Sequence, residues 1–120
     1  MKEVNLKDRT RSFALKVIQL VENVPRGRIA DVLSKQLLRA GTSVGANYRA
    51  ACRARSASEF IAKMGIVEEE VDETIYWFEL LNESKMIDPK ETDPLIKEAQ
   101  ELLAITISSI KTARRNKKGI

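Results

Sequence analysis

Apolar residues recur at every third or fourth position through four long runs of this sequence, and short breaks separate the runs. That period belongs to amphipathic helices, each with one face to bury. Helix A is predicted from about Asp8 to Val24, with Phe13, Val17, Leu20, Val21 and Val24 on its apolar face and Pro25 and Gly27 ending it. Helix B runs from about Arg28 to Arg55 on a seam of Leu33, Leu37, Ala40, Val44, Asn47 and Ala51, with steps of 4, 3, 4, 3 and 4. Gly41 and Gly45 lie inside it and cost roughly 1 kcal/mol each against Ala. Close approach of a neighbouring helix is the expected reason.

Helix C opens at Ser56-Ala57-Ser58-Glu59, where Ser56 and Glu59 have capping-box spacing. Its seam is Phe60, Met64, Val67, Val71, Thr74, Phe78 and Leu81, and it ends near Lys85. Asp93 and Pro94 are the expected N-cap and first residue of helix D, with a seam of Ile96, Ala99, Leu103, Thr106, Ile110 and Ala113. A basic tail follows from about residue 114 to 120. The linkers are about Pro25–Gly27, Arg55–Ala57 and Met86–Thr92. Links this short force antiparallel neighbours, so the predicted fold is all-α: an up-down-up-down four-helix bundle occupying residues 1–120 as a single domain. Five Gly and three Pro are too few for the turns of an all-β chain.

Composition then removes most chemistry. There is no His among the 120 residues, which excludes Ser-His-Asp and Cys-His catalysis, His-containing zinc sites and Glu-x-x-His di-iron sites. A single Cys, Cys52, forms neither an internal disulfide nor a thiolate zinc cluster. No glycine-rich phosphate loop is present in a strand-turn-helix setting. The expectation is a protein that is not an enzyme and takes no cofactor or metal. The run Glu68-Glu69-Glu70-Val71-Asp72-Glu73 lacks the partners of a ligand set and reads as solvated or ion-paired. The start of the chain has no apolar signal core, no stretch reaches membrane-span length, and a lone thiol fits a reducing cytoplasm, so a cytoplasmic protein without membrane contact is expected.

A net charge of +4 conceals segregation. Residues 26–63 sum to +6 and residues 64–85 to −6. At 100° per residue, with Ala40 at zero, the helix B seam lies between about −20° and +60°, whereas Arg28, Lys35, Arg39, Arg49 and Arg53 fall between about −100° and 180°. Five cations thus share the face away from the seam, and Arg26 and Arg55 flank them near the helix ends. One reading is a footprint for a polyanion, with contacts to RNA or DNA phosphates and little sequence selectivity. The other is a solvated face, or one that pairs with the acids of helix C or with an acidic protein partner, as an adaptor would.

Helix C carries apolar residues off its seam. With Val67 at zero, Ile66, Trp77 and Leu80 fall at about −100°, −80° and −140°, and Tyr76 at 180°. A wide core stripe would absorb Ile66 and Trp77; otherwise these four residues mark a protein interface, with identical copies the default partner. Cys52 reads as a buried small hydrophobe at the margin of the core, Asn47 as a polar residue setting register or oligomer state, and Tyr48 as packing.

The stretch Leu37-Leu38-Arg39-Ala40-Gly41-Thr42-Ser43-Val44-Gly45-Ala46-Asn47, continued by Arg53-Ala54-Arg55-Ser56-Ala57-Ser58-Glu59-Phe60, resembles the four-helix-bundle family named after proteins encoded by intervening sequences of bacterial large-subunit ribosomal RNA. The family that the chain resembles also includes the accessory variability proteins of diversity-generating retroelements. The resemblance covers nearly the whole chain. It implies a four-helix bundle assembling into a homopentamer, no enzymatic activity and, for the retroelement members, a basic surface that binds nucleic acid and associates with a reverse transcriptase. The chain departs from the commoner pattern at Gly45, where many members carry Pro, and at Tyr48-Arg49-Ala50-Ala51, where many read Ile-Ala-Glu-Gly.

Overall fold

A computed structural model describes residues 5–118, in which four helices follow one another: α1 (Leu6–Asn23), α2 (Arg28–Cys52), α3 (Ala57–Glu83) and α4 (Pro89–Lys118). No strand occurs among the described residues. The predicted bundle is the observed one, and its extents of 54 × 31 × 20 Å suit two layers of helices as long as α4. Helix starts follow local chemistry. The Asn5 side chain accepts the Asp8 N–H at the head of α1, and Ser56 Oγ accepts the Glu59 N–H at the head of α3. The reciprocal bond of the predicted box is displaced by one residue: Glu59 Oε2 accepts from the Arg55 N–H instead of the Ser56 N–H. Helix α3 ends in a Schellman arrangement, with the Met86 N–H on the Leu81 carbonyl and the Lys85 N–H on the Asn82 carbonyl. Lys85 occupies the left-handed position, at φ 63°, that glycine usually fills.

The core is built from the predicted seams. Phe13, Val17, Leu20 and Val24 bury from α1 and its cap, Leu37, Ala40, Val44 and Ala51 from α2, and Met64, Val67, Val71, Phe78 and Leu81 from α3. Phe13 meets Phe78 edge to face, their ring centroids 6.4 Å apart. Both central glycines of α2 have the expected reason. A Cβ on Gly41 would lie 3.0 Å from both Val17 methyls, and one on Gly45 would lie 3.2 Å from Thr10 Oγ1, so α1 packs onto α2 where α2 has no side chains.

Helix α4 departs from expectation. It starts at Pro89, five residues before Pro94, which lies inside the helix. The sequence holds two Asp-Pro pairs, and the first is the one used: Asp88 Oδ1 accepts the Lys90 N–H. The added turn is held by Thr92, which is fully buried and donates its hydroxyl to Asn82 Oδ1 at 2.5 Å. The α4 seam is rotated accordingly: Thr92, Leu95, Ala99, Leu102, Thr106 and Ile110 are buried, while the expected Ile96, Leu103 and Ala113 are half-buried at its edge. The basic tail is not separate from α4, which continues through Arg114, Arg115 and Lys117; residues 119–120 lie outside the described residues.

Two smaller expectations are corrected. Cys52 is exposed, because α1, which flanks that side of α2, begins only about one turn beyond the Thr10–Gly45 contact and does not reach along to it. Asn47 donates to the Ser43 carbonyl of its own helix at 2.8 Å, so this bond sets no register between helices. Tyr48 packs against the core as read; burial, with help from Cys52, pushes its hydroxyl up to about 12.

Candidate nucleic-acid interface

Helix α2 holds its cations outward because its seam consumes the opposite face, and the structure divides the predicted stripe into paired and unpaired members. Arg39 reaches sideways to α3, with Nη2 at 2.5 Å from Glu73 Oε2 and Nη1 at 3.8 Å from Glu70 Oε2. Glu73 also accepts from the Trp77 indole N–H at 3.1 Å. Arg39 therefore bridges α2 to α3 while its side chain stays 54% exposed, so within the stripe it is an ion-paired member. Arg26 is likewise engaged: it forks onto Asp31 through Nε at 2.9 Å and Nη2 at 3.0 Å. That pair raises Arg26 and, with the Gly27 N–H, holds the Asp31 carboxyl below its ordinary range.

The remaining predicted cations are exposed. Among the described residues, Arg28, Lys35, Arg49, Arg53 and Arg55 make no side-chain ion pair within 4.0 Å. They do not form one even band. Arg28 and Lys35 occupy the N-terminal third of α2. Arg49 and Arg53 lie at its end and Arg55 on the linker, about 30 Å away at 1.5 Å per residue. At that corner a shallow hollow of about 560 Å³ opens above Ala46 and Ala50, lined by Arg49, Arg53, Arg55, Glu59 and Lys63. Lys63 was not foreseen as a site residue, since it comes from α3 and only the antiparallel turn at Ala54–Ser56 brings it beside Arg49. The single acid, Glu59, is already occupied with the Arg55 N–H. The small side chains of Ala46 and Ala50 let a broad ligand approach, and four cations around it favour a polyanion held through its charge.

The four predicted interface residues divide as well. Ile66 and Tyr76 are exposed, at 40% and 52%. Trp77 and Leu80 are half-buried, and Trp77 packs against the core with its N–H on Glu73. Tyr76 stands edge to face on Trp77, ring centroids 5.0 Å apart. Other exposed apolar side chains escaped sequence reasoning: Leu15 and Ile18 on α1, and Ile29 and Val32 on α2. Each lies on a helix whose single seam already accounted for its period, and a second, weaker stripe behind a strong one carries little signal. Among the described residues no group of three or more Cys, Asp or Glu is placed to hold a metal ion, and no helix is long and apolar enough to cross a membrane.

A family model described as 23S rRNA-intervening sequence protein matches residues 2–108. Among solved structures, the chain is similar to a crystal structure from Bacteroides thetaiotaomicron VPI-5482, described as a protein with unknown function from the S23 ribosomal protein family. The two are 36% identical with a TM-score of 0.84, over 89% of this chain and 99% of that one. No curated protein matches.

Proposed function

The chain belongs to the 23S rRNA-intervening sequence protein family, and from that premise we propose that it is a non-catalytic, homo-oligomeric scaffold that binds nucleic acid with low sequence selectivity. The observation that carries this reading is the cluster of Arg49, Arg53, Arg55 and Lys63 around one hollow, with no side-chain ion pair to any of them among the described residues. These cations make no side-chain ion pair although Glu59 of α3 lines the same hollow, and forked guanidinium groups suit phosphate oxygens. The six aromatic residues are too few for a base-stacking groove, so contacts run to phosphates. RNA or DNA is the proposed ligand, and an accessory role on ribosomal RNA or beside a reverse transcriptase is the biological setting the resemblance supports. A homo-oligomer, a pentamer by that resemblance, would repeat the cluster in each copy and strengthen weak contacts by avidity. The expected compartment is the cytoplasm.

Binding of labelled RNA and duplex DNA across a salt series tests this. The logarithm of the affinity should fall linearly with the logarithm of salt, by about 0.9 per phosphate neutralised on duplex DNA and about 0.7 on single strands. Arg53→Glu with Lys63→Glu should weaken binding at least tenfold and leave the helical content unchanged, because neither side chain serves the core. Absence of RNA or DNA retention at low salt overturns the reading and leaves the adaptor, whose basic corner docks an acidic protein.

A further inference from the structure

Helix α3 contains a glycine that the bundle does not explain. Gly41 and Gly45 admit α1, but a Cβ built on Gly65 meets nothing within 4 Å. A glycine inside a 27-residue helix costs roughly 1 kcal/mol against Ala, and here no neighbour among the described residues requires it. Gly65 lies on the outer face of α3 next to exposed Ala62 and half-buried Ile61. We propose that this face receives a second copy of the chain, and that the element packed on it is the outer face of that copy's α1. The proposal rests on the homo-oligomeric reading above and identifies the contact.

Charge selects the occupant. C-terminal to Gly65 the same face carries Glu69 and Asp72, which make no ion pair among the described residues. Two copies of α3 placed face to face with these acids opposed would repel. Helix α1 offers the complement. Leu15 and Ile18 are 54% and 40% exposed on its outer face, Lys7, Asp8 and Arg11 precede them with a net charge of one positive, and Glu22 follows. An antiparallel crossing with Leu15 over Gly65 brings three matches at once, and at seven residues from the crossing it sets Asp72 opposite Asp8 with Lys7 beside it. Arg11 and Glu69 each lie four residues, about 6 Å, from the crossing point and meet on one side. Ile18 falls over Ala62. Glu22 and Ser58 each lie seven residues, about 10.5 Å, away on the other side. Ser58 is where Lys117 of α4 is anchored, its Nζ 2.5 Å from Ser58 Oγ, with Arg114 beside it. A pattern of positive, apolar and negative on α1 thus faces negative, apolar and positive on α3 and α4. The two faces differ, so the contact is heterologous and extends to rings or chains of copies instead of stopping at a two-fold dimer. Lys63 sits about 160° around α3 from Gly65, so the basic hollow stays open when this face is covered.

Mass measured by light scattering over a concentration series tests the contact. The wild type should exceed the 13.5 kDa of one chain. Gly65→Leu should shift assembly to at least tenfold higher concentration, although its melting temperature at a concentration where both proteins are monomeric is unchanged or raised. Arg11→Glu and Glu69→Arg should each weaken assembly, and the two together should restore it. A wild type that assembles while Gly65→Leu and both charge variants assemble equally well overturns this contact and leaves the oligomeric reading standing. Rescue of Arg11→Glu by Glu22→Arg but not by Glu69→Arg means that α1 packs on α1, and also overturns it. A monomeric wild type at every concentration removes the oligomer itself, while RNA retention is scored separately.

Discussion

Glu70 is half-buried between α2 and α3, its Oε1 is buried with no hydrogen-bond partner among the described residues, and its other oxygen is only at long range from Arg39. Burial raises its pKa most, Arg39 opposes the rise, and Glu73 and Glu69 add to it. An acid whose folded pKa is raised holds its proton more tightly in the fold than in the unfolded chain. Its contribution to stability is therefore full below the unfolded value of about 4.3 and is lost as pH rises through the folded value. Glu70→Gln should be at least as stable as the wild type at pH 7, and that advantage should shrink as pH falls toward 4. Urea unfolding of both proteins at several pH values checks this, and an advantage that grows on acidification contradicts it. The partner residue shows the limit of reading a helix alone. The wheel placed Arg39 off the seam correctly, but a long side chain reaches about 6 Å, so direction from its own axis did not reveal that it bends onto Glu73.

At the scale of the element, the helical period showed which segments are helices and which face of α1, α2 and α3 is buried. It was ambiguous where two signals of equal strength compete. Asp88-Pro89 and Asp93-Pro94 are the same start signal five residues apart, and burial of Thr92 against Asn82 decides between them. In α4, Leu102 and Leu103 offer adjacent apolar stripes, and only packing against the rest of the bundle selects the first. Glycines give a sharper test of element packing, because the same substitution should have opposite signs at two positions. Gly41→Ala puts a methyl 3.0 Å from two Val17 carbons and should destabilise by about 1–3 kcal/mol through overpacking. Gly65→Ala meets nothing within 4 Å and should stabilise the monomer by roughly 0.5–1 kcal/mol through helix propensity. Thermal and urea unfolding of the two variants side by side reads the difference; equal effects would mean that α1 does not press on α2 at Gly41.

The whole molecule closes through a tie that no local pattern announces. Arg9 of α1 forks onto Glu98 of α4 at 3.0 and 2.6 Å and reaches Glu101 at 3.1 Å. The Arg9 and Glu98 side chains are 29% and 26% exposed, so the pair is partly shielded, and its hydrogen bonds raise the Arg9 pKa further. A double-mutant cycle of Arg9→Ala with Glu98→Ala should give a coupling of about 0.5–1 kcal/mol that falls with added salt. Zero coupling would leave α1 joined to α4 by apolar contact alone. By itself the sequence determined the all-α class, the number of helices, their antiparallel order and most of the core. Those follow from period and linker length, which are local properties that each segment carries whatever its neighbours do. Only the tertiary structure decided which cations make no ion pair among the described residues, that Lys63 joins Arg49, Arg53 and Arg55 at one corner, that Arg9 ties α1 to α4, and that Gly65 has no neighbour within 4 Å among the described residues. Each of these depends on distances between residues remote in sequence, and such distances are set by how the helices pack.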